Sequence, residues 1–261
     1  MKTALLISTY NWPEALNLVL LSVKKQTVLP DEILIADDGS KEDTKQLIDK
    51  FKKQSDLPIK HIWHEDKGFR RSKILNKTIA STDADYIIQT DGDCIVHSRF
   101  IEDHLSNISE NMYLYGTRVG ISADYVEEVF EKQLISFGYF SKQIKSRGRA
   151  LHIPLLSHLY KKHKDYSRRL RGCNLSFWRK DFIAVNGYNE DFEGWGKEDS
   201  DLAIRLHNNS LHAKRLRYVG IVYHIHHQVS SKENLAANEQ IQKNTIESKI
   251  IRCKKGVDQY L

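Results

Sequence analysis

Short runs of aliphatic and β-branched residues alternate with helix-forming segments over the first hundred residues, and this alternation constrains the fold most strongly. The strand-like runs are TALLIS, EILIADDGS, IKHIWH and DYIIQTDGD, and the helix-like segments between them are PEALNLVLLSVKKQ, KEDTKQLIDKFKKQ and RRSKILNKTIAS. Pro13 suits the first turn of a helix, where no backbone N–H is needed. The pattern predicts βαβ units, with about four parallel strands across residues 1–100.

The carboxyl ends of parallel strands lie along one edge of a sheet, and ligands of such sheets bind there. The predicted strand ends read Ser8-Thr9-Tyr10-Asn11, Asp37-Asp38-Gly39-Ser40 and Asp91-Gly92-Asp93. We therefore expect three polar clusters along one rim, which is the candidate site.

The composition fits a globular protein of one large domain or two small ones: 261 residues, 40% hydrophobic. Cys94, Cys173 and Cys253 show no Cys-x-x-Cys spacing, which predicts a reducing compartment. The opening MKTALLISTYN is too brief for a secretory signal and is predicted to be a buried first strand. No apolar run approaches the roughly 20 residues that cross a bilayer, so we expect a cytoplasmic protein.

A basic segment follows the alternating region. From about residue 122 the pattern becomes helical, and between Lys142 and Arg171 ten lysines and arginines face one acid, Asp165. This segment, about 122–170, has the character of an insertion. The net charge of +6 suits a nucleic acid, a membrane face or a phosphorylated small molecule. No nucleic-acid-binding signature is present, so we expect no nucleic acid partner and favour peripheral contact with anionic lipid.

Asp91-Gly92-Asp93 follows an apolar strand, and Gly92 permits close approach of a ligand. Two carboxylates at this spacing can hold Mg²⁺ or Mn²⁺ while leaving positions open for diphosphate oxygens. Taken alone, the motif is more often an ordinary Asp-Gly turn.

Two further motifs leave alternatives open. Asp38 either caps the following helix or accepts a hydrogen bond from a nucleobase, and spacing alone favours the cap. Arg70 and Arg71 stand at the start of a predicted helix, an unfavourable end for cations unless they face an anion. Solvation at the surface is the alternative for both arginines.

The histidines of VYHIHHQ are candidate metal ligands, because imidazole completes mixed oxygen and nitrogen sites for Mn²⁺. In a strand, His224 and His226 would share one face and His227 the other. A turn beginning at Ile225 would instead bring His224 and His227 together. Spacing does not decide which histidine binds a metal, and a lone histidine here is more often structural.

The stretch VNGYNEDFEGWGKEDSDLAIRL concentrates acids in a basic chain. Its apolar spacing predicts a helix with Glu198 and Asp199 at the amino-terminal end, where the helix dipole is expected to lower their pKa. Simple helix capping is one interpretation. The other is a sugar site, in which Trp195 stacks on a sugar face and the carboxylates accept hydroxyl hydrogens. A carboxylate there could take a proton from a hydroxyl nucleophile.

Several motifs follow one another in the order in which they occur in the sequences of a known family. They are ISTYNWPEALNLVLLSVKKQT with EILIADDGS, then GFRRSKILN, TDGD and RGCNLSFWRKDFIAVNGYNEDFEGWGKEDSDLAIRL. Together they resemble the family two glycosyltransferases, an inverting group with the nucleotide-sugar-binding GT-A fold. The last motif is similar to one shared by β-1,4-galactosyltransferases and bacterial chondroitin-type polymerases. The resemblance covers most of the chain.

The resemblance implies an α/β GT-A fold, with a mainly parallel central sheet flanked by helices and a helical basic insertion. We expect a single domain over residues 1–261, with a nucleotide-binding half at 1–100 and an acceptor-binding half at 101–230. Residues 231–261 are expected to form a helical tail. The basic segment has no counterpart that we can place in the family, which leaves acceptor recognition open.

The resemblance also implies roles for individual residues. The nucleoside, uridine by this resemblance, and its donor sugar would contact Thr9, Tyr10, Asn11, Asp38, Gly92 and Trp195. Arg70 or Arg71 would meet the diphosphate, and Asp91 would lie near the ribose or the metal. Asp93 would bind the metal, with His227 at the later metal position and His224 as a possible co-ligand. Trp195, Glu198 and Asp199 would contact the acceptor, with Asp199 as general base.

The function implied is metal-dependent transfer of a sugar from a UDP-sugar to a hydroxyl of a saccharide or lipid-linked saccharide. Cell-surface polysaccharide, lipopolysaccharide or capsule synthesis is the expected setting, and Mn²⁺ or Mg²⁺ the expected cofactor. One alternative is a nucleotidyltransferase, which would release pyrophosphate and give Trp195, Glu198 and Asp199 no role. Another is a basic protein that binds membrane or nucleic acid without catalysis.

Overall fold

Ten strands and nine helices organise the part of the chain that the computed structural model describes, residues 1–164, 167, 170–228, 231 and 233–261. The strands are β1 Thr3–Thr9, β2 Glu32–Asp37, β3 Ile59–Trp63, β4 Tyr86–Asp91, β5 Cys94–Val96, β6 Met112–Tyr115, β7 Thr117–Gly120, β8 Asn174–Trp178, β9 His212–Arg215 and β10 Ile221–His224. The helices are α1 Pro13–Val23, α2 Glu42–Lys53, α3 Arg71–Ala80, α4 Phe100–Leu105, α5 Val126–Glu131, α6 Pro154–Ser157, α7 Arg179–Ala184, α8 Glu198–Asn208 and α9 Leu235–Glu247.

The central sheet has seven strands in the order β3-β2-β1-β4-β8-β6-β9. The first four are mutually parallel, which confirms the four parallel strands predicted from the alternating pattern. Strand β8 runs antiparallel to β4 and β6, and β9 is parallel to β6. The sheet is therefore mixed but mainly parallel.

Helices cover both faces of this sheet, and successive residues of β1 show why. Leu5 packs with Leu16 of α1 on one face, while Leu6 packs with Ile74 of α3 and Leu202 of α8 on the other. All seven residues of β1 are buried. A strand buried on both faces has to be continuously apolar, as TALLIS nearly is. Pro13 is the first residue of α1, as predicted.

A second, three-stranded sheet has the order β5-β10-β7. The strand-like stretch RLRYVGIVYHIHH is divided between the end of β9 and β10 by residues 216–220, and β10 ends at His224. Strand β5 begins one residue after Asp93 and pairs with β10, so Asp93 and the end of β10 lie together.

The basic segment contains short helical pieces joined by irregular chain. Between residues 122 and 164 these are α5, α6 and two 3₁₀ turns, Ala123–Tyr125 and Arg147–Arg149. Asp165, Tyr166, Arg168 and Arg169 lie outside the described residues. Within the described ranges, no helix has the length and apolar character needed to cross a membrane. Cys94, Cys173 and Cys253 are buried free thiols.

A fully buried ion pair anchors α8. Nε of Arg205 donates to Oδ2 of Asp201 at 2.8 Å, and its Nη1 donates to the carbonyl of Val185 at 2.7 Å. The Thr245 hydroxyl of α9 donates to Oδ1 of Asp201 at 2.7 Å. Both charged side chains are essentially inaccessible to solvent. The pair therefore fixes α8 relative to α9 and to the end of α7.

Asp201→Ala is expected to destabilise the protein by about 3–5 kcal/mol, because it leaves the Arg205 charge buried without its partner. The matched control is Glu247→Ala, which breaks the solvent-exposed Lys243–Glu247 pair of the same i,i+4 spacing on α9. That change is expected to cost about 0.5 kcal/mol or less. Urea denaturation measures the free energy of unfolding of both variants. Equal small losses of this free energy would contradict a structural role for the buried pair.

Candidate active site

A cavity of about 1360 Å³ opens at the carboxyl edge of the parallel strands. It is lined by side chains from all three predicted polar clusters and from the acidic turn before α8. The candidate residues on its wall are Thr9, Tyr10, Asn11, Asp38, Arg71, Asp91, Gly92, Asp93, Trp195, Glu198, Asp199, His224 and His227. Of the residues to which the family resemblance gives a role, Arg70 does not line the cavity.

Asp93, His224 and His227 form a cluster on the wall of this cavity. Oδ2 of Asp93 lies 3.4 Å from Nε2 of His224 and 3.1 Å from Nε2 of His227. The chain turns immediately after β10, which brings the two histidine rings within 5.0 Å, centre to centre. Of the two arrangements considered from sequence, the structure has the turn that joins His224 and His227.

This cluster matches the chemistry of a divalent metal site. Its three donor atoms lie within 4.8 Å of one another. Burial alone would raise the pKa of the Asp93 carboxyl, but hydrogen bonds to His224 and His227 outweigh burial and lower the pKa below its usual range. One carboxylate and two imidazoles are a donor set that suits Mn²⁺ better than Mg²⁺, which prefers oxygen alone.

Arg71 connects the strand end at β4 with the start of α8. Its Nη2 donates to Oδ1 of Asp91 at 2.5 Å, and its Nη1 lies 3.4 Å from Oε1 of Glu198. The Ser8 hydroxyl also donates to Oδ1 of Asp91, at 2.7 Å. Burial disfavours the charged guanidinium, but Asp91 and Glu198 outweigh burial and raise the pKa of Arg71 well above its ordinary value.

The expectation that the helix dipole lowers the pKa of Glu198 is wrong. Burial raises the pKa of this carboxyl to about 7, and the neighbouring charge of Asp199 adds to the rise, while Arg71 opposes it. Oε2 of Glu198 has no hydrogen-bond partner among the described residues. Loss of hydration therefore outweighs the favourable position at the first turn of α8.

Asp199 is oriented by backbone amides. The amide of Gly172 donates to Oδ2 at 2.7 Å, and the amide of Ser200 donates to Oδ1 at 2.6 Å. A methyl group on Gly172 would lie 3.0 Å from Nη1 of Arg71 and 3.3 Å from Cβ of Asp199. Gly172 was missed by sequence reasoning, although the RGCNLSFW segment contained it.

The acidic turn has an unusual backbone. Gly194, Gly196 and Lys197 have φ values of 70°, 109° and 79°. Lys197 is the cap residue of α8, and its side chain makes no capping hydrogen bond. Glu198 and Asp199 lie in the first turn, where Oδ1 of Asp199 accepts the amide of Ser200. The turn carries Trp195 on the cavity wall, where 39% of the residue remains exposed.

Asp38 does not cap α2. Its Oδ1 lies 2.6 Å from Nε2 of His64, and its Oδ2 accepts the backbone N–H of Arg70 at 2.9 Å. Helix α2 has Lys41 as its cap residue, again without a side-chain cap. Asp38 is thus held at the cavity wall by the residue that follows β3 and the residue that precedes α3.

Tyr10, Asn11 and Thr9, which follow or end β1, are positioned by contacts with neighbouring loops. The Tyr10 hydroxyl donates to Oδ2 of Asp66 at 2.8 Å, and Oδ1 of Asn11 accepts the backbone N–H of Lys41 at 2.8 Å. Thr9 is buried against Gly92, where an added methyl group would lie 3.0 Å from the Thr9 hydroxyl oxygen. The space above Gly92 is therefore filled by the end of β1.

Three arginines near the cavity differ in whether their side chains already have a hydrogen-bond or ion-pair partner. The Arg70 side chain donates to the carbonyl of Glu65, and Arg71 is paired with two carboxylates. Arg118, in β7, lies on the cavity wall with an exposed side chain. The hydrogen bond to Asp93 raises the pKa of His227, and the nearby charge of Arg118 opposes that rise. The ion pairs of the described residues include none for Arg118. Sequence reasoning missed this arginine, because nothing in β7 marks it.

The family is established by comparison with known sequences. Residues 4–163 match the glycosyl transferase family 2, and residues 154–228 match the family described as the N-terminal domain of galactosyltransferase. The first match covers more than half of the chain. The chain therefore belongs to glycosyl transferase family 2, which confirms the resemblance drawn from the motifs.

Several relatives are longer than this chain. A chondroitin synthase of Escherichia coli is 24% identical over 267 residues, which cover 95% of this chain and 38% of that protein. A validoxylamine A glucosyltransferase of Streptomyces hygroscopicus subsp. limoneus is 23% identical over 225 residues, 80% of this chain and 48% of that protein. The chain thus spans less than half the length of these relatives.

Solved structures share the architecture. S. aureus TarS 1-349 in complex with UDP superposes with a TM-score of 0.65 at 15% identity, covering 100% of this chain and 68% of that one. GalNAc-T7 with UDP, GalNAc and Mn²⁺ gives a TM-score of 0.66 at 17% identity, covering 94% of this chain and 49% of that one. This likeness shows the GT-A fold, as expected from the sequence.

Glu198→Gln is expected to change the pH dependence of stability. A carboxyl with a pKa raised from 4.5 to about 7 holds its proton in the folded state after the unfolded chain has released it. Wild-type stability should therefore fall, relative to the variant, as the pH rises from about 4.5 to 7, by roughly 3 kcal/mol. Below about pH 4.5 the stability difference between wild type and variant should not depend on pH, and above about pH 7 the relative loss for wild type should be complete.

Urea denaturation at a series of pH values measures this difference. The matched control is Glu193→Gln, which changes an exposed carboxyl in the same turn and should show no such window. Parallel stability profiles for wild type and Glu198→Gln would contradict the raised pKa.

Proposed function

We propose that this chain transfers a sugar from a UDP-sugar to a hydroxyl of a saccharide acceptor, inverting the anomeric carbon in a single displacement. The proposal is carried by one observation: a single cavity contains both the Asp93, His224 and His227 cluster and the Asp199 carboxylate beside Trp195. A nucleotidyltransferase would need the first group but would have no use for the second.

The comparisons support the choice of substrates. The similar TarS structures contain UDP or UDP-GlcNAc, and GalNAc-T7 contains UDP and Mn²⁺. Relatives include chondroitin and hyaluronan synthases, at 24% and 22% identity, and an O-antigen chain rhamnosyltransferase that is 36% identical over 101 residues. We infer a saccharide or lipid-linked saccharide acceptor, in the synthesis of cell-surface polysaccharide, lipopolysaccharide or capsule.

The uridine end of the donor is assigned to Thr9, Tyr10, Asn11 and Asp38. The Asp38 carboxylate is held by His64 and by the amide of Arg70, so its orientation is set before a ligand arrives. Each of its oxygens retains a second lone pair, which can accept a nucleobase N–H. Tyr10 is half exposed beside it and offers a ring face to the base.

We assign the diphosphate of the donor to Arg118 and to the metal cluster of Asp93, His224 and His227. Asp93, His224 and His227 would hold Mn²⁺ or Mg²⁺, which as a Lewis acid stabilises the charge that develops on the leaving diphosphate. Arg71 is neutralised by Asp91 and Glu198, so its charge is already compensated. Arg118 is exposed on the wall near His227, and we therefore assign it, rather than Arg70 or Arg71, to the phosphate oxygens.

The acceptor end is assigned to Trp195, Glu198 and Asp199. Backbone amides fix both oxygens of Asp199, and each oxygen keeps a lone pair with which to take the proton of the attacking hydroxyl. Glu198, with a pKa of about 7, is partly protonated near neutral pH and can donate a hydrogen bond to a sugar hydroxyl. Trp195 offers an exposed ring for stacking on the apolar face of the sugar.

Asp199→Asn is expected to lower turnover by about 10²–10⁴-fold, because the amide cannot accept the hydroxyl proton. UDP binding should be unchanged, since Asp199 is assigned to the acceptor. Turnover is measured as UDP release with Mn²⁺, using the best donor among UDP-glucose, UDP-galactose and their N-acetylamino counterparts.

The matched control is Asp191→Asn, an exposed carboxylate of the same turn that pairs with Lys255 and lies off the cavity wall. It should retain the wild-type rate. Near wild-type turnover in Asp199→Asn would remove this residue from the base role. Release of pyrophosphate from nucleoside triphosphates, with no UDP release from any donor, would favour the nucleotidyltransferase alternative.

Removal of the metal is expected to abolish turnover and weaken donor binding, because the donor's diphosphate charge would lose its main counter-charge. Chelation of wild type and the variant Asp93→Ala should both show this loss, measured by UDP release and by calorimetric titration with UDP. Asp83→Ala, an exposed carboxylate off the cavity wall, is the control and should behave as wild type. Unchanged UDP binding and turnover after both treatments would contradict the metal assignment.

Peripheral contact with anionic lipid through residues 142–171 stays a proposal. Leu155 and Leu159 are 79% and 73% exposed in this segment, among lysines and arginines. Exposed aliphatic side chains beside cations are the combination that a membrane surface binds. Such contact would suit a lipid-linked acceptor.

A further inference from the structure

A second cluster of histidine and carboxylate side chains lies outside the active-site cavity. His97 follows β5, Asp103 is in α4, and His152 belongs to the basic segment. None of the three lines the 1360 Å³ cavity, and the proposed reaction uses none of them. Their donor atoms nevertheless lie within 4.8 Å of one another.

Asp103 is the fixed member of this cluster. It is 4% exposed, and the backbone N–H of Gly220 donates to its Oδ2 at 2.8 Å. Nε2 of His152 lies 3.0 Å from both carboxylate oxygens. A hydrogen bond from the backbone to a carboxylate is the kind of outer contact that orients ligands in metal sites.

His97 is the adjustable member. Its ring stacks on that of His152, with centres 4.5 Å apart and planes inclined by 15°. The ring is partly buried, and the backbone N–H of Arg99 donates to its Nδ1 at 3.3 Å. The side chain borders a separate cavity of about 310 Å³ with Ser22, Lys25 and Ser98, which leaves space for water.

We propose that His97, Asp103 and His152 bind one divalent transition-metal ion of the zinc type, which fastens the basic segment to α4. Two imidazoles and one carboxylate are ligands that Zn²⁺ prefers, and water can take the fourth position. Tetrahedral bonds to zinc separate neighbouring donor atoms by roughly 3.3 Å, close to the observed spacing of His152 and Asp103. His97 completes the set by turning out of its stack, which its partial exposure allows.

A simple Asp103–His152 ion pair is the alternative explanation for the same contacts. It gives His97 no ligand role and predicts that zinc neither binds to these residues nor stabilises the fold. Metal binding therefore separates the two explanations. The test has to exclude the Asp93 cluster, which is itself a candidate for metal binding.

The test uses Co²⁺, whose visible absorption reports its coordination, in a His227→Ala background that weakens the active-site cluster. Equilibrium dialysis should find one bound Co²⁺ per chain, with the intense absorption of a tetrahedral nitrogen and oxygen site. Adding His97→Ala or His152→Ala should remove this ion. The matched control is His158→Ala, because His158 is an exposed histidine of the same segment outside the cluster.

Thermal unfolding gives an independent result. Zn²⁺ should raise the midpoint temperature of the His227→Ala protein and its His158→Ala derivative, but not of the His97→Ala or His152→Ala derivatives. In the wild-type background, all three changes should leave UDP release with Mn²⁺ intact. The proposal is overturned if the His227→Ala protein binds no Co²⁺, or if the His97→Ala or His152→Ala derivative retains the ion.

Discussion

The candidate active site depends on the guanidinium of Arg71, whose side chain is 12% exposed. Asp91 ends the fourth parallel strand and Glu198 begins α8, and Arg71 contacts both carboxylates. Glu198 is buried and Asp91 is partly buried, and it is costly to bring two carboxylates together away from water. The cation between them therefore stabilises the contact of the two elements. The concentration of acids around the Gly-Trp-Gly turn is tolerated in this chain because Arg71 compensates part of their charge.

Two groups of side chains on the cavity wall differ in chemistry. Asp93 stays charged between His224 and His227. Glu198 has a raised pKa, while backbone amides orient Asp199. With one acid of the turn partly neutral, Asp199 faces less negative charge than the sequence suggests. The proposed sites for a metal-bound diphosphate and for a sugar hydroxyl can then share one cavity.

The sequence predicted the four parallel strands and their polar rim, because strands buried on both faces leave continuous apolar runs that end in polar residues. It left the histidines undecided, since the turn after β10 depends on how the second sheet ends. The pKa of Glu198 was predicted in the wrong direction, because its burial comes from residues distant in the chain. Arg118 and Gly172 were missed because their neighbours, His227 and Asp199, are brought to them only by tertiary packing.

The anomeric configuration of the newly formed bond tests most directly whether Asp199 acts in a single displacement. The product formed from an α-linked UDP-sugar, with the donor that gives the fastest UDP release, can be examined by proton NMR through the coupling of its anomeric proton. Attack from the side opposite the departing UDP predicts a β-linked product throughout. An α-linked product would contradict both the inversion and the role of Asp199 as the base.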